Sequence, residues 1–131
     1  MKKNALKNGS VLIIVVFVIS LLTVAVMGML QINAEEVQLM QNQVYAAEAQ
    51  ATAEAGLNDA LAQIRNNSGW SSGFTDKSFN NGLYTVTVND TTITSTGTSE
   101  KGYVARVEAD FTVSDSGPPY LIQIDALRIN E

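Results

Sequence analysis

Residues 11–30 read VLIIVVFVISLLTVAVMGML, which is twenty consecutive residues without a charged side chain. At about 1.5 Å of rise per residue, a helix of this length spans roughly 30 Å, the thickness of the hydrocarbon core of a bilayer. Ser20 and Thr23 are compatible with such a span, because each hydroxyl can bond to the backbone carbonyl one turn earlier. We therefore predict a transmembrane helix over residues 10–32.

The charges on the two sides of this segment are unequal. Lys2, Lys3 and Lys7 precede it without an acidic residue, whereas five basic and all thirteen acidic residues follow it, a net charge of −8 (5 − 13). Basic residues next to a membrane span stay on the cytoplasmic side, so residues 1–9 are expected in the cytoplasm. The sequence thus predicts a single pass through the inner membrane with the C-terminus outside. The acidic remainder also argues against nucleic acid as a partner.

The helix is predicted to continue out of the membrane as an amphipathic helix over residues 33–66. Glu35 and Glu36 mark the exit, and the segment contains no proline, a single glycine (Gly56) and many strong helix formers. We interpret Gly56 as a point of close packing. Apolar and small residues recur every three or four positions, which indicates one buried helix face: Tyr45, Ala49, Ala53, Leu57, Ala60, Leu61 and Ile64.

A secretory signal peptide is the alternative interpretation of the N-terminal region. Its apolar core has about 7–15 residues and ends at a small-residue cleavage site. The apolar stretch here is longer, and only the poor pattern Ile32-Asn33-Ala34 follows it. A signal peptide would also have no use for the long helix-forming segment that comes next, so we favour a membrane anchor.

Residues 67–131 are predicted to form a small antiparallel sheet. The sequence Asn66-Asn67-Ser68-Gly69 is typical of a helix end, and a loop is expected from there to Gly82. Alternating apolar and polar or β-branched residues then predict four strands. They cover residues 83–89, 91–98, 103–113 and 120–129.

Short, turn-forming connectors between these strands favour a meander. In the last strand, Leu127 and Ile129 break the alternation of Ile122 and Ile124. Either a bulge or an edge strand that contacts neighbours on both of its sides would explain this. The predicted fold class is therefore α+β, with a long N-terminal helix packed on a four-stranded antiparallel sheet.

The chemistry of the side chains argues against an enzyme. The chain contains no histidine and no cysteine, so the commonest general base and the thiolate and imidazole metal ligands are absent. Its carboxylates follow no ligand-loop spacing. We predict no catalytic residue, no cofactor and no metal site.

These features in this order resemble the type IV pilin superfamily: a basic leader ending in Gly9, an apolar helix from Ser10, an alanine-rich continuation and a small sheet. The helix motifs AAEA at residues 46–49 and AEAG at 53–56 resemble PilX-type minor pilins and pseudopilins. The hairpin GLYTVTV, residues 82–88, followed by TITSTG, is similar to theirs as well.

The resemblance implies that a prepilin peptidase cuts between Gly9 and Ser10 and methylates the new amine of Ser10. It also implies that subunits leave the membrane and stack through their helices. The assembly helix would then include Ile14, Val15, Leu21 and Gly28. The implied partners are other pilin or pseudopilin subunits, the prepilin peptidase and the inner-membrane assembly platform.

Three departures from the family pattern favour a minor subunit, acting in priming or at the tip of a type IV pilus or a type II secretion pseudopilus. Most major pilins carry glutamate at the fifth mature residue, where this chain has Ile14. The usual aromatic first residue is replaced by Ser10, and the C-terminal cysteine pair is missing. The alternative outside this family is a single-span envelope protein with a small ligand- or partner-binding head.

Overall fold

The computed structural model describes residues 2–130, and it describes the side chains of residues 9–129. Helix α1 (Lys2–Asn66) precedes five strands: β1 (Phe74–Phe79), β2 (Gly82–Asn89), β3 (Thr92–Thr98), β4 (Val104–Val113) and β5 (Ile122–Asn130). The chain divides into two units, residues 1–41 and 42–131. The second unit, which we call the head, contains the helix from residue 42 onward and the sheet.

The five strands form one antiparallel sheet in the order β1-β2-β3-β4-β5. This confirms the α+β class and the predicted meander, but the prediction of four strands is wrong. The additional strand, β1, lies in the segment that was predicted to be a loop. Five of the six residues of β1, FTDKSF, are exposed. An exposed strand does not need alternating apolar residues, so the sequence of β1 lacks the pattern that marks the other strands.

The predicted buried face of the helix is confirmed for five of its seven residues, whereas Tyr45 and Leu61 are only partly buried. Ala49, Ala53, Ala60 and Ile64 have no exposed surface, and Leu57 is 6% exposed. They pack on the middle of the sheet. The sheet residues of this core are Tyr84, Val86, Ile93, Val107, Ala109 and Phe111.

Glycines allow the helix to approach the sheet closely. A β-carbon at Gly97 would collide with the Ala49 carbonyl and the Ala53 amide and would lie 2.9 Å from the Ala53 Cα. A β-carbon at Gly56 would lie 2.8 Å from the Tyr84 ring and would collide with the Ser95 hydroxyl. The interpretation of Gly56 as a close-packing residue is therefore confirmed, and Gly97 plays the same role from the sheet side.

The helix ends at Asn66, as the sequence predicted. The Asn67 amide donates to the Gln63 carbonyl at 2.9 Å, and the Gly69 amide donates to the Asn67 side chain at 3.1 Å. The Tyr120 amide donates to the Arg65 carbonyl at 2.9 Å. The segment before β5 therefore satisfies one of the carbonyls left free at the end of the helix.

Strand β5 contains a bulge. Asp110 pairs with Ala126 and Phe111 pairs with Ile124, so Asp125 is the additional residue. The bulge shifts the alternation by one position, which explains the irregular apolar pattern of the last strand. Four apolar residues consequently lie on the side of the sheet that faces the helix: Ile122, Ile124, Leu127 and Ile129.

Candidate processing and assembly surfaces

The N-terminal unit presents a helix whose apolar side chains are uncovered. From Val11 to Leu30 the large apolar residues are 46–71% exposed. Ser20 and Thr23 donate hydrogen bonds to the carbonyls of Val16 and Ile19, each at 2.8 Å, so both hydroxyls are satisfied inside the helix. One helix of the described chain is long and apolar enough to cross a membrane, and none of its apolar window is buried.

Gly9 and Ser10, the residues predicted to flank the cleavage site, are exposed on α1. A β-carbon added at Gly9 would meet nothing within 4 Å among the described residues, so packing against that part of the chain does not require a glycine there. Helix propensity also disfavours glycine by about 1 kcal/mol relative to alanine. A glycine that these contacts do not require, two residues before the apolar segment, is consistent with recognition by a processing enzyme.

The residues assigned to the assembly helix do not all share one side of it. Ile14, Leu21 and Gly28 are seven residues apart and therefore lie along one stripe. Val15 follows Ile14 by one position and lies about 100° away around the helix. Their side chains are open to contact, since Ile14 is 59%, Val15 46% and Leu21 56% exposed. A β-carbon at Gly28 would meet nothing within 4 Å, so any packing role of Gly28 needs a partner molecule.

A polar cluster fastens the edge strand β1 to the helix in the head. The Asp59 carboxylate accepts a hydrogen bond from the Tyr84 hydroxyl at 2.5 Å and forms an ion pair with Lys77. The Lys77 ammonium also lies 4.4 Å from the centre of the Phe74 ring. Phe74 in turn packs against Trp70, with ring centres 5.1 Å apart. The cluster therefore links β1, β2 and the helix.

The pKa values of this cluster follow from its contacts. Burial raises the pKa of Asp59, but hydrogen bonds from Lys77 and Tyr84 outweigh burial and lower it. The hydrogen bond with Asp59 raises the pKa of Lys77. Burial, followed by the Asp59 carboxylate, raises the pKa of Tyr84. Each group is therefore held in its usual charge state near neutral pH, which suits a structural clamp rather than a general acid or base.

An apolar groove of about 480 Å³ runs between the end of the helix and β5. Leu61 lines it and is only partly buried, so the expectation that Leu61 belongs to the main core holds in part. Ile124 also lines the groove and is 47% exposed. Arg65 and Tyr120 form part of the rim.

The opposite face of the sheet carries a charge network. Arg128 makes two hydrogen bonds to the Asp110 carboxylate, at 2.9 and 3.1 Å, and one to Glu108 at 3.4 Å. Arg106 pairs with Glu108. The hydrogen bond from Arg128 lowers the pKa of Asp110, and a second one from Thr92 acts in the same direction. The charged side chains of this network are therefore paired with one another within the chain.

Comparison with protein-family models, curated proteins and solved structures finds no match. Function is therefore inferred from the residues of this chain.

The Asp59–Lys77 pair could not be predicted from the sequence, because the two residues are eighteen positions apart and lie on different elements. The only available signal was an acidic residue, Asp59, on a helix face flanked by the buried Leu57 and Ala60. Among the residues whose side chains are described, no three acidic groups come together as a metal site would require.

Proposed function

We propose that this protein is a minor, priming or tip subunit of a type IV pilus or a type II secretion pseudopilus, and that it acts without catalysis. The observation that carries the proposal is the exposed apolar helix surface from Val11 to Leu30, which begins two residues after Gly9, a glycine that contacts with the described residues do not require. Such an apolar surface is unfavourable in water, so it requires the hydrocarbon core of a membrane. If the subunit leaves the membrane, the surface must be buried against other apolar side chains.

In this proposal a prepilin peptidase removes residues 1–9 on the cytoplasmic side and methylates the amine of Ser10. The subunit then resides in the inner membrane with its head outside. An inner-membrane assembly platform moves it into the filament, where its helix packs against those of other pilin or pseudopilin subunits. Ile14, Leu21 and Gly28 form a stripe suited to such contacts, and Gly28 permits close approach of a second helix.

The absence of a glutamate at position 14 supports a minor role. An unpaired carboxylate inside the hydrocarbon is costly, so Ile14 eases membrane residence. The same replacement removes the carboxylate that would form an ion pair with the amine of a neighbouring subunit. A chain of this kind contributes less to the elongation of the shaft than a major pilin does.

The decisive experiment is mass spectrometry of the mature N-terminus after co-expression with a prepilin peptidase. We expect a chain that begins at Ser10 and carries one added methyl group. Gly9→Ala should impair cleavage, whereas Gly28→Ala, which replaces an equally uncrowded helical glycine, should leave it intact.

Two other results would contradict the proposal. A mature chain that begins at Glu35 would establish a secretory signal peptide. A chain that stays uncleaved under conditions in which a control prepilin is processed would favour the single-span envelope protein with a binding head.

A further inference from the structure

The groove between the end of the helix and β5 lies beside an open edge of the sheet. β5 is nine residues long and pairs, among the described residues, only with β4. The other edge strand, β1, is six residues long, has a register shift between Phe74 and Lys77, and carries charged residues, all of which discourage pairing with a further strand. β5 is therefore the edge that a further strand can join.

The walls of the groove are apolar and incompletely covered. Leu61 and Ala62 line it from the helix, and Ile122 and Ile124 line it from β5. Ile124 is 47% exposed, although it lies on the same side of the sheet as the core. The apolar strip continues along β5 to Leu127, which is 54% exposed. The groove therefore opens toward Leu127 and offers apolar contacts to a chain that enters from there.

The opposite end of the groove, where β5 begins, is closed. The Tyr120 amide donates a hydrogen bond to the Arg65 carbonyl at 2.9 Å, which joins the segment before β5 to the last turn of the helix. A chain that enters from the side of Leu127 cannot continue beyond this contact. The shape of the groove therefore favours the end of a chain over an internal segment.

A positive charge lies at this closed end. Arg65 lines the groove, and no carboxylate among residues 9–129 forms an ion pair with it. The Tyr120 amide satisfies the Arg65 carbonyl, which reduces the negative charge that the helix end presents to an anion. A guanidinium can donate two parallel hydrogen bonds to a carboxylate, so the closed end suits a terminal carboxylate.

The backbone of β5 directs hydrogen-bonding groups toward the open edge. The Phe111 amide donates to the Thr91 carbonyl at 2.8 Å, so the backbone groups of Phe111 point away from β5. Phe111 pairs with Ile124, and both members of such an antiparallel pair direct their amides and carbonyls away from each other. Ile122, two residues earlier on the same strand, also directs its backbone groups outward.

We propose that the groove binds the C-terminal peptide of a partner protein, which adds antiparallel to β5 and places its terminal carboxylate on Arg65. β5 begins at the closed end, so an antiparallel peptide ends there. The last residue of the peptide lies opposite Ile122 and the third-last residue opposite Ile124, as hydrogen-bonded pairs. The side chains of both peptide residues face the groove, whereas the second-last side chain points to the other face of the sheet.

The partner is thus a protein whose last and third-last residues are apolar and whose α-carboxylate is free. The pairing uses β5 only before its bulge at Asp125, so a regular extended peptide fits. A contact of so few residues is small, and we expect dissociation constants in the micromolar range. The inference goes beyond the proposed function, because binding in the head needs neither leader cleavage nor filament assembly.

Peptide binding to the full-length protein in lipid nanodiscs tests the role of the carboxylate. The probe is a pool of fluorescein-labelled pentapeptides with valine, isoleucine, leucine or phenylalanine at the last and third-last positions and threonine elsewhere. Fluorescence anisotropy compares this pool with the same pool carrying a C-terminal amide. The free acids should bind at least about ten-fold more tightly, because only they form the ion pair with Arg65. Equal binding of the two pools, or no binding of either, would overturn the proposal.

Arg65→Gln tests the residue that holds the carboxylate. This variant should bind the free acids no more tightly than the amides, with an unchanged melting temperature. Arg106→Gln is the matched control, since it removes the same charge from the opposite face of the sheet, where Arg106 pairs with Glu108. Equal losses of binding in the two variants would assign the effect to net charge and contradict a site at Arg65.

N-methylated peptides test the strand pairing without a change in the protein. A methyl group on the third-last amide removes the donor to the Ile124 carbonyl and should reduce binding at least about ten-fold. A methyl group on the second-last amide, which points away from β5, should have little effect. Equal binding of the two methylated pools would contradict addition of the peptide to β5.

Discussion

The Ser95 hydroxyl donates a hydrogen bond to the backbone carbonyl of Ala53 at 2.6 Å, in the fully buried contact between β3 and the helix. A side chain as short as serine can make this bond only where the helix backbone lies almost on the strand. Gly97, two residues along β3, provides the necessary space. The distance between helix and sheet in the head is therefore set by small residues on both elements.

Gly97→Ala should destabilise the head by about 1–3 kcal/mol, because the added methyl group overpacks a contact with backbone atoms that cannot move aside. The measurement is denaturant unfolding of the full-length protein in detergent, followed by the fluorescence of Trp70, the only tryptophan in the chain. Gly69→Ala is the control, since its nearest contact would be an ordinary 3.5 Å. Equal stability of the two variants would contradict the close helix–sheet contact.

Leu61 and Ile64, which lie one helix turn apart, should differ in their contribution to the free energy of unfolding. Ile64 is completely buried, so Ile64→Ala should cost about 2–5 kcal/mol. Leu61 lines the open groove and is only partly buried, so Leu61→Ala should cost about half as much. The same fluorescence measurement compares them, and a larger loss for Leu61→Ala would place Leu61 in the core instead of the groove.

The parts of the fold that could be predicted from the sequence are those held together by periodic apolar residues. The helix face from Ala49 to Ile64 and strands β2 to β5 follow such patterns. The break in alternation in the last strand indicated a bulge as one of two explanations, and the structure places the bulge at Asp125. Strand β1 could not be predicted in this way. It is held by backbone pairing with β2 and by the contact of Lys77 with Asp59, neither of which leaves a periodic signal.

The predicted processing and assembly residues depend on a different kind of information. Gly9, Ser10 and Ile14 are predicted from their order around the apolar segment. Their exposure on the helix is compatible with that prediction but does not require it, because their predicted contacts involve other molecules. The sequence could therefore specify which residues to test, whereas the geometry of a single chain could not identify what they bind.

The clamp around Asp59 should make the stability of the head sensitive to acid. The pKa of Asp59 is lowered in the folded protein, so this carboxylate stabilises the fold above its unfolded pKa of about 3.9. That contribution is lost as the pH falls through the lower pKa of the folded state. Asp59→Asn should therefore lower the melting temperature at pH 7. Below a pH of about 4, the melting temperature of this variant should fall less steeply with decreasing pH than that of the natural protein.

The control for this experiment is Asp90→Asn, on the exposed turn between β2 and β3. Part of the acid sensitivity should remain in Asp59→Asn, because Arg128 also lowers the pKa of Asp110 in the folded state. Melting temperatures recorded from pH 2 to 7 provide the comparison. Parallel profiles for Asp59→Asn and the natural protein would contradict a stabilising role of the clamp.

Ile14 leads to the prediction about position in the proposed filament. In pilins, the carboxylate at the fifth mature residue is drawn to the amine of the subunit above it. In the proposed filament, a chain with Ile14 would offer its own Ser10 amine but no carboxylate, so it would receive the next subunit more readily than it would dock beneath an existing one. We expect immunogold labelling to find this subunit scarce and terminal, and its deletion to reduce the number of filaments more than their length. Ile14→Glu should move the label into the shaft, whereas Val15→Glu, with the same charge about 100° around the helix, should not. Abundant labelling of the natural protein along the shaft would contradict the tip position while leaving the assignment as a pilin intact.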